Sequence, residues 1–227
     1  MKIRQLFDHD TWTYTYLLWD EESKEAAIID TVKEKLDRDI KYIQDLGLTL
    51  KYSLETHVHA DHITASGQLR DKLGAKTAVH ADGGANCADI QIKDGDVFKL
   101  GNKEIKALHT PGHTNGDVSY YIEGYVFTGD ALLIRGCGRT DFQQGDSETL
   151  YNSITQKLFT LPDETVVYPG HDYDGLTESS IGEEKALNPR LGNNKSKKAF
   201  MEIMDNMNLP KPKRIDEAVP GNLQCGM

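Results

Sequence analysis

The sequence predicts an α+β fold, in the broad α/β class, with two β-sheets packed together and helices covering them. Three observations carry this. In each half of the 227 residues, β-rich segments dominate first and then mix with helical ones, which suits two sheets better than strictly alternating parallel βαβ units. Two pairs of β-rich segments are joined by short Gly-containing turns, Gly101-Asn102 and Glu123-Gly124, in the manner of hairpins. Four strand segments run directly into His or Asp, three of them with Gly immediately before that residue. Sheets gather strand ends along an edge, so these groups are expected to share one cleft.

The elements follow in order. Residues 12–19 (Trp-Thr-Tyr-Thr-Tyr-Leu-Leu-Trp) are aromatic and β-rich, and after a charged turn Ala26 to Ile29 forms a second strand ending at Asp30. Leu36, Ile40, Ile43 and Leu46 recur at helical spacing, and Gly47 stops that helix. Leu48 to Glu55 is a strand, 66–73 a helix ended by Gly74, and Thr77 to His80 a short strand. The two hairpins occupy 97–108 and 118–128. A helix is expected over 147–158 with Ser147 as N-cap, then a strand over 165–168 and helices over 179–187 and 195–207. The Pro- and Lys-rich tail from Leu209, with Val219-Pro220-Gly221, reads as irregular.

Composition narrows the function. A net charge of −10 argues against a broad nucleic-acid footprint, and any anionic ligand must be drawn by a local basic cluster. No apolar run approaches the ~20 residues needed to cross a bilayer, and the first residues lack an apolar stretch of signal-peptide length. Cys87, Cys137 and Cys225 are odd in number and far apart, which fits a reducing compartment better than a disulfide framework. The cytoplasm is the expected compartment.

The run Thr56-His57-Val58-His59-Ala60-Asp61-His62 places three imidazoles and a carboxylate directly after an apolar strand. On an extended chain His57 and His59 point to the same side, and Asp61 and His62 follow in the turn beyond. Imidazoles with a carboxylate suit zinc or non-haem iron. His109-Thr110-Pro111-Gly112-His113-Thr114 puts His113 in a Pro-Gly turn, where a fixed φ and a permissive one aim the ring. Asp130 ends Phe127-Thr128-Gly129-Asp130, and His171-Asp172 follows Tyr168-Pro169-Gly170. Alone, each of these residues would be an ordinary turn residue; together they predict a metal site. Asp172 reads as a residue that holds a neighbour in place. His9, His80 and His109 read as ordinary surface or core histidines.

Thr-His-x-His-x-Asp-His, Pro-Gly-His-Thr, Thr-Gly-Asp and Pro-Gly-His, in this order over residues 10 to 175, resemble the metallo-β-lactamase superfamily. The stretch Thr128 to Gly145, with Gly136-Cys137-Gly138-Arg139-Thr140-Asp141-Phe142-Gln143-Gln144-Gly145, is similar to persulfide dioxygenases. So are Phe159-Thr160-Leu161-Pro162, His171-Asp172-Tyr173, Leu187-Asn188-Pro189-Arg190 and Asn208-Leu209-Pro210-Lys211-Pro212. The resemblance implies an αββα sandwich, two central mixed β-sheets flanked by helices. It implies one domain over residues 1–227, with 176–227 as a C-terminal helical and irregular extension. The implied reaction oxidises glutathione persulfide with O2 and water to sulfite and glutathione, on one non-haem Fe(II) per chain. The implied iron ligands are His57, His113 and Asp130, a triad that leaves positions open for substrate and O2. His59, Asp61, His62 and His171 would then surround the iron, tuning hydration and orienting its ligands. No catalytic residue is expected beyond the metal site.

Glutathione carries two carboxylates, so cations are sought: Arg139, nine residues beyond Asp130, and the Pro-stiffened Lys211-Pro212-Lys213-Arg214. Tyr173 is a candidate donor to substrate. Cys137 has no base nearby in sequence and reads as a buried or pocket-lining thiol. The rival function on the same donors is a glyoxalase II-like thioester hydrolase, with His57, His59 and His113 on one metal, Asp61, His62 and His171 on another, and Asp130 bridging. The 139–144 run and Asn188-Pro189-Arg190 favour the dioxygenase. A non-catalytic sulfur sensor would not require every donor, and a nucleic-acid-processing relative is disfavoured by the acidic charge. A rhodanese is an expected functional partner, and hydrophobic residues near the N-terminal strand suit a homodimer as well as a core.

Overall fold

The computed structural model describes residues 1–227. The first sheet holds β1 (Lys2–Asp8), β2 (Thr13–Trp19), β3 (Glu25–Ile29), β4 (Thr49–Leu54), β5 (Lys76–His80) and β6 (Ile90–Ile92), side by side in that order. The second holds β7 (Val97–Leu100), β8 (Lys103–His109), β9 (Val118–Ile122), β10 (Tyr125–Gly129), β11 (Val166–Pro169) and β12 (Ser179–Ser180), also in chain order. Both sheets are mixed: β3, β4 and β5 run parallel, as do β10 and β11, and the hairpins are antiparallel.

The period of two decides where each side chain goes. In β2, Tyr14, Tyr16 and Leu18 enter the core between the sheets, while Leu17 and Trp19 face the outer layer. Every residue of β2 is buried, because both faces of the strand are covered. The outer layer of the first sheet is α1 (Leu36–Asp45) and α2 (Ser66–Leu73), with Leu36, Ile40 and Ile43 against Leu17 and Ile28. The second sheet is covered by α3 (Ser147–Gln156), α4 (Ile181–Leu187) and α5 (Lys197–Asp205), through Leu150, Ile154, Ile181, Phe200 and Met204. The result is helix, sheet, sheet, helix, as expected.

Several details differ from the sequence reading. The N-cap of α3 is Asp146, whose carboxylate accepts from Thr149 N at 2.7 Å, rather than Ser147. The tail from Leu209 is not irregular throughout: Ile215–Asn222 is a helix, α6, despite Pro220. Its Val219 and Leu223 pack on Val58, Val79 and Ala85, and its Asn222 is hydrogen-bonded to the His59–Thr64 loop, so tertiary contacts override the breaker. The expectation of unpaired cysteines is also corrected. Cys87 and Cys225 form a disulfide across 138 residues, because the chain after α6 folds back against the segment leading into β6. Only Cys137 is free, and it is buried. No helix is long and apolar enough to cross a membrane.

Candidate metal centre

The strands deliver the polar groups to one edge. β4 ends at Leu54 and releases the His57–His62 loop; β5, parallel to it, ends at His80. In the second sheet β8, β10 and β11 share a direction and end before His113, Asp130 and His171. The two edges meet where Gly129 lies against Thr56. A Cβ on Gly129 would collide with the Thr56 side chain, and its φ of +51° suits glycine, so the residue before Asp130 allows the close approach. Gly112, at φ +140°, packs on the backbone of Leu150 in α3 and fixes the turn that carries His113.

His57, His113 and Asp130 come together, each offering one donor atom within 4.8 Å of the others. Their free atoms are set by hydrogen bonds behind them. Asp30 accepts the Thr56 hydroxyl at 2.8 Å, so Thr56 Oγ1 in turn accepts from His57 Nδ1 at 3.0 Å and Nε2 is left free. His113 Nδ1 donates to the carbonyl of Arg139 at 2.7 Å, leaving Nε2 free 3.6 Å from Asp130 Oδ2. Burial, followed by the neighbouring His59 and His113, holds His57 well below the usual histidine range, and a neutral imidazole is the form that binds metal. Asp130 Oδ1 is buried with no hydrogen-bond partner. A buried carboxylate oxygen without donors, on a side chain grouped with the free nitrogens of His57 and His113, fits a cation.

The other expected residues divide into two groups. His171 faces the same space: its Nδ1 donates to Trp12 O at 3.1 Å, and its Nε2 lies 3.6 Å from Asp61 and 3.7 Å from Asp130. Burial works against its charge, but Asp130 and Asp61 raise its pKa. Burial would raise Asp61, yet His62 and His171 hold it well below the usual carboxylate range. His59 lies deeper, its Nε2 3.2 Å from Asp30 and 3.1 Å from Glu55. Burial opposes its charge, and the two carboxylates overcome this and push its pKa well up. His62 bonds Asp61 through Nδ1 at 2.8 Å, and its Nε2 has no partner. Asp172 accepts from Asp174 N and Leu176 N and so shapes the loop that carries Tyr173.

Above this floor opens a cleft of about 710 Å³. His57, His113, Asp130, Asp61 and His171 form its base, and Arg139, Tyr173, Lys211, Lys213 and Arg214 line its walls. Arg139 pairs with Asp141, stacks on Phe142 and donates to Pro210 O, tying the tail to the centre. Lys211 pairs with Asp216, and Arg214 with Glu34 and Glu217. Cys137 lines the cleft; burial raises its thiol pKa, although Arg190 opposes the shift.

The sequence reading missed Asp30, Glu55, Trp12 and Asn222, and used Arg190 only as part of the Asn188-Pro189-Arg190 resemblance. Asp30 had a visible cue, since it too ends a strand. Its φ of +53° and its three hydrogen bonds, to Thr56 N, Thr56 Oγ1 and His59, are tertiary facts.

The metallo-beta-lactamase superfamily profile matches residues 13–171, which contain every donor above. Persulfide dioxygenase ETHE1, mitochondrial, of Bos taurus is 51% identical over 99% of this chain and 89% of its own length. The chain is a persulfide dioxygenase-family member of the metallo-beta-lactamase superfamily. The crystal structure of ETHE1 from Myxococcus xanthus superposes on it with a TM-score of 0.97 at 53% identity, covering all of both chains. Hydroxyacylglutathione hydrolase GloC of Haemophilus influenzae is more distant, 36% identical over 79% of this chain and 92% of its own. The persulfide dioxygenase relationship thus includes the tail segment 209–214 on the cleft wall and helix α6 behind it.

Proposed function

We propose that this chain oxidises glutathione persulfide: GSSH + O2 + H2O gives GSH, sulfite and two protons. The observation that carries the reading is the set of two imidazoles and one carboxylate, His57, His113 and Asp130, at the base of a cleft walled by cations. His57, His113 and Asp130 would hold one Fe(II) per chain. Such a centre, when bound, supplies open positions for sulfur and O2 and the redox chemistry that zinc lacks.

The rest of the work falls to the protein. The Arg139 carbonyl fixes the His113 tautomer, and the Asp30–Thr56 pair fixes that of His57. Arg139, Lys211, Lys213 and Arg214 would receive the glutathione carboxylates, and the exposed Tyr173 hydroxyl would donate to the peptide. Lys213, which makes no ion pair to an acidic side chain, would bind with least reorganisation. His171 and Asp61 would hold and pass protons as sulfite leaves. His59 and His62, outside the cleft wall, would support the loop of His57. The cleft and this support come partly from residues 176–227, which we treat as an extension of the single domain.

A dinuclear thioester hydrolase would place His59 on the metal with His57 and His113. The greater identity to persulfide dioxygenases, over more of the chain, favours the dioxygenase. Sulfur exchange with a rhodanese, a homodimer and the cytoplasm as compartment complete the proposal, the last without the unpaired-cysteine argument that the Cys87–Cys225 disulfide removes. The test is anaerobic metal analysis followed by O2 uptake with glutathione persulfide. One iron per chain with persulfide-dependent O2 uptake supports the reading. Two metals per chain with hydrolysis of a glutathione thioester and no O2 uptake overturns it.

A further inference from the structure

We propose that Glu184, a residue of α4 that does not line the cleft, is a positioning residue for the metal centre: it fixes the segment 135–139, which orients both His113 and Asp130. This role rests on His57, His113 and Asp130 as the metal set, and not on which reaction the metal performs. The segment meets the two ligands at consecutive residues. Gly138 N donates to the carbonyl of Asp130 at 2.6 Å, which fixes the backbone from which that carboxylate projects. Arg139 O accepts from His113 Nδ1 at 2.7 Å. A Cβ on Gly138 would lie 2.5 Å from Asp130 O and 2.8 Å from His113 Nδ1, so the segment is wedged between the two ligands and a shift of it reaches both.

The segment leaves a tight turn in which Leu133 and Gly136 exchange backbone hydrogen bonds at 3.1 Å. Arg135 stands in that turn at φ +56°, a left-handed conformation where turns ordinarily place Gly or Asn. The Glu184 carboxylate holds this residue in place. It accepts from Arg135 N at 3.0 Å and from Arg135 Nη1 at 2.7 Å. It also accepts from Asn188 Nδ2 at 2.8 Å, and the same Nδ2 donates to Gly136 O at 3.0 Å. Ser179 Oγ completes its donors at 2.6 Å. Glu184 is fully buried, whereas Arg135 is partly exposed and has a second partner in Glu183. A buried ion pair is by itself a poor source of net stability. Bonds to a backbone N–H and, through Asn188, to a backbone carbonyl set the path of the loop instead, and groups behind metal ligands tune the site through such orientation.

The test loads the full chain anaerobically with one equivalent of Co2+, whose visible absorption reports ligand geometry whatever the reaction. Glu184→Leu is expected to shift the Co2+ bands and to weaken Co2+ binding about tenfold, the low end for a group behind a ligand. Glu184→Gln keeps an oxygen for Arg135 N and Asn188 Nδ2, while its amide donates to Ser179 Oγ. It is expected to give the wild-type bands and an affinity within about twofold of wild type. Spectra are compared where far-UV circular dichroism matches that of the wild type. A purely stabilising ion pair would lower the urea midpoint of both variants and leave the bands alone. If the Leu variant does not fold, Asn188→Ala, which frees Gly136 O, is expected to shift the bands the same way to a smaller degree. Wild-type bands and affinity in folded Glu184→Leu, or in Asn188→Ala where that replaces it, overturn the proposal. So does a Gln variant shifted as far as the Leu variant. Wild-type bands that survive His113→Ala would remove the metal set itself, and this role with it.

Discussion

Asn222 does not line the cleft, yet it holds the metal-ligand loop by its backbone. Its Oδ1 accepts from Thr64 N at 2.8 Å, and its Nδ2 donates to His59 O at 2.9 Å and His62 O at 2.8 Å. The residue is buried, and the small cavity beside it has about 10 Å³, barely the room of one water. Asn222→Ala removes three hydrogen bonds of about 1 kcal/mol each and strands one amide N–H, while the space vacated admits a bridging water; the expected loss is about 2–4 kcal/mol. Asn222→Asp keeps the shape and the acceptor for Thr64 N. Its second oxygen then faces two carbonyls, so the ionised form is expected to cost more than Ala at neutral pH, about 3–5 kcal/mol. Acid reverses the order, because a protonated Asp donates to one of those carbonyls. Its folded pKa is raised, so the penalty is largest above that pKa and fades as pH falls. Urea unfolding of both variants at pH 8 and pH 5, with bound metal counted in parallel, measures this. An Asp variant as stable as wild type at pH 8, or an Ala variant within 0.5 kcal/mol of wild type (roughly the noise of a neutral surface change), would refute the reasoning.

Asp39 is fully buried beside Arg38 and its pKa is raised to about 6, chiefly by burial. The group therefore favours the fold most below its unfolded pKa, and this contribution is lost as pH rises through about 6; Asp39→Asn should remove about 2 kcal/mol of that pH dependence between pH 4 and pH 7, read from unfolding curves. Breaking the Cys87–Cys225 bridge with Cys87→Ser should lower stability by up to about 5 kcal/mol from loop entropy, seen as a fall in urea midpoint that reducing agent reproduces in the wild type. Gly112→Ala forces a Cβ into the Leu150 backbone and is expected to cost over about 3 kcal/mol and to deplete bound metal, since it shifts the turn of His113. Removing the metal with a chelator should abolish persulfide-dependent O2 uptake while leaving far-UV circular dichroism unchanged, because the sheets that carry the ligands are built from apolar contacts.

Much of this architecture was legible because it is written in local periods. Aromatic, β-rich composition marked β2, Gly-containing turns marked the two hairpins, the four-three-three spacing marked α1, and a His or Asp after four strands marked the centre. What escaped depends on distant residues. Strand β1 has an exposed edge with Lys2 and Arg4 outward and only Leu6 and Asp8 buried, so its pattern is weak. Three-residue β6 exists because β5 lies beside it. Helix α6 forms around Pro220 because its packing outweighs the lost hydrogen bond. The cysteine pair was hidden because spacing along the chain says nothing about the return of a tail. In the cleft, Arg139 was sought for its guanidinium, whereas its carbonyl is what orients His113.

The contact between Asn222 and Thr64 spans 158 residues, and this has a consequence in time. At a synthesis rate of roughly 5–20 residues per second, the His57 loop leaves the ribosome about 8–30 s before the residue that holds it is made. During that interval Asp30 and Glu55 already hold Thr56 and His59, but nothing yet holds the Thr64 amide or the carbonyls of His59 and His62. The setting of the metal ligands is therefore completed after translation, when α6 docks. Any ion captured earlier meets a looser set of donors, and the choice of metal falls to the finished chain.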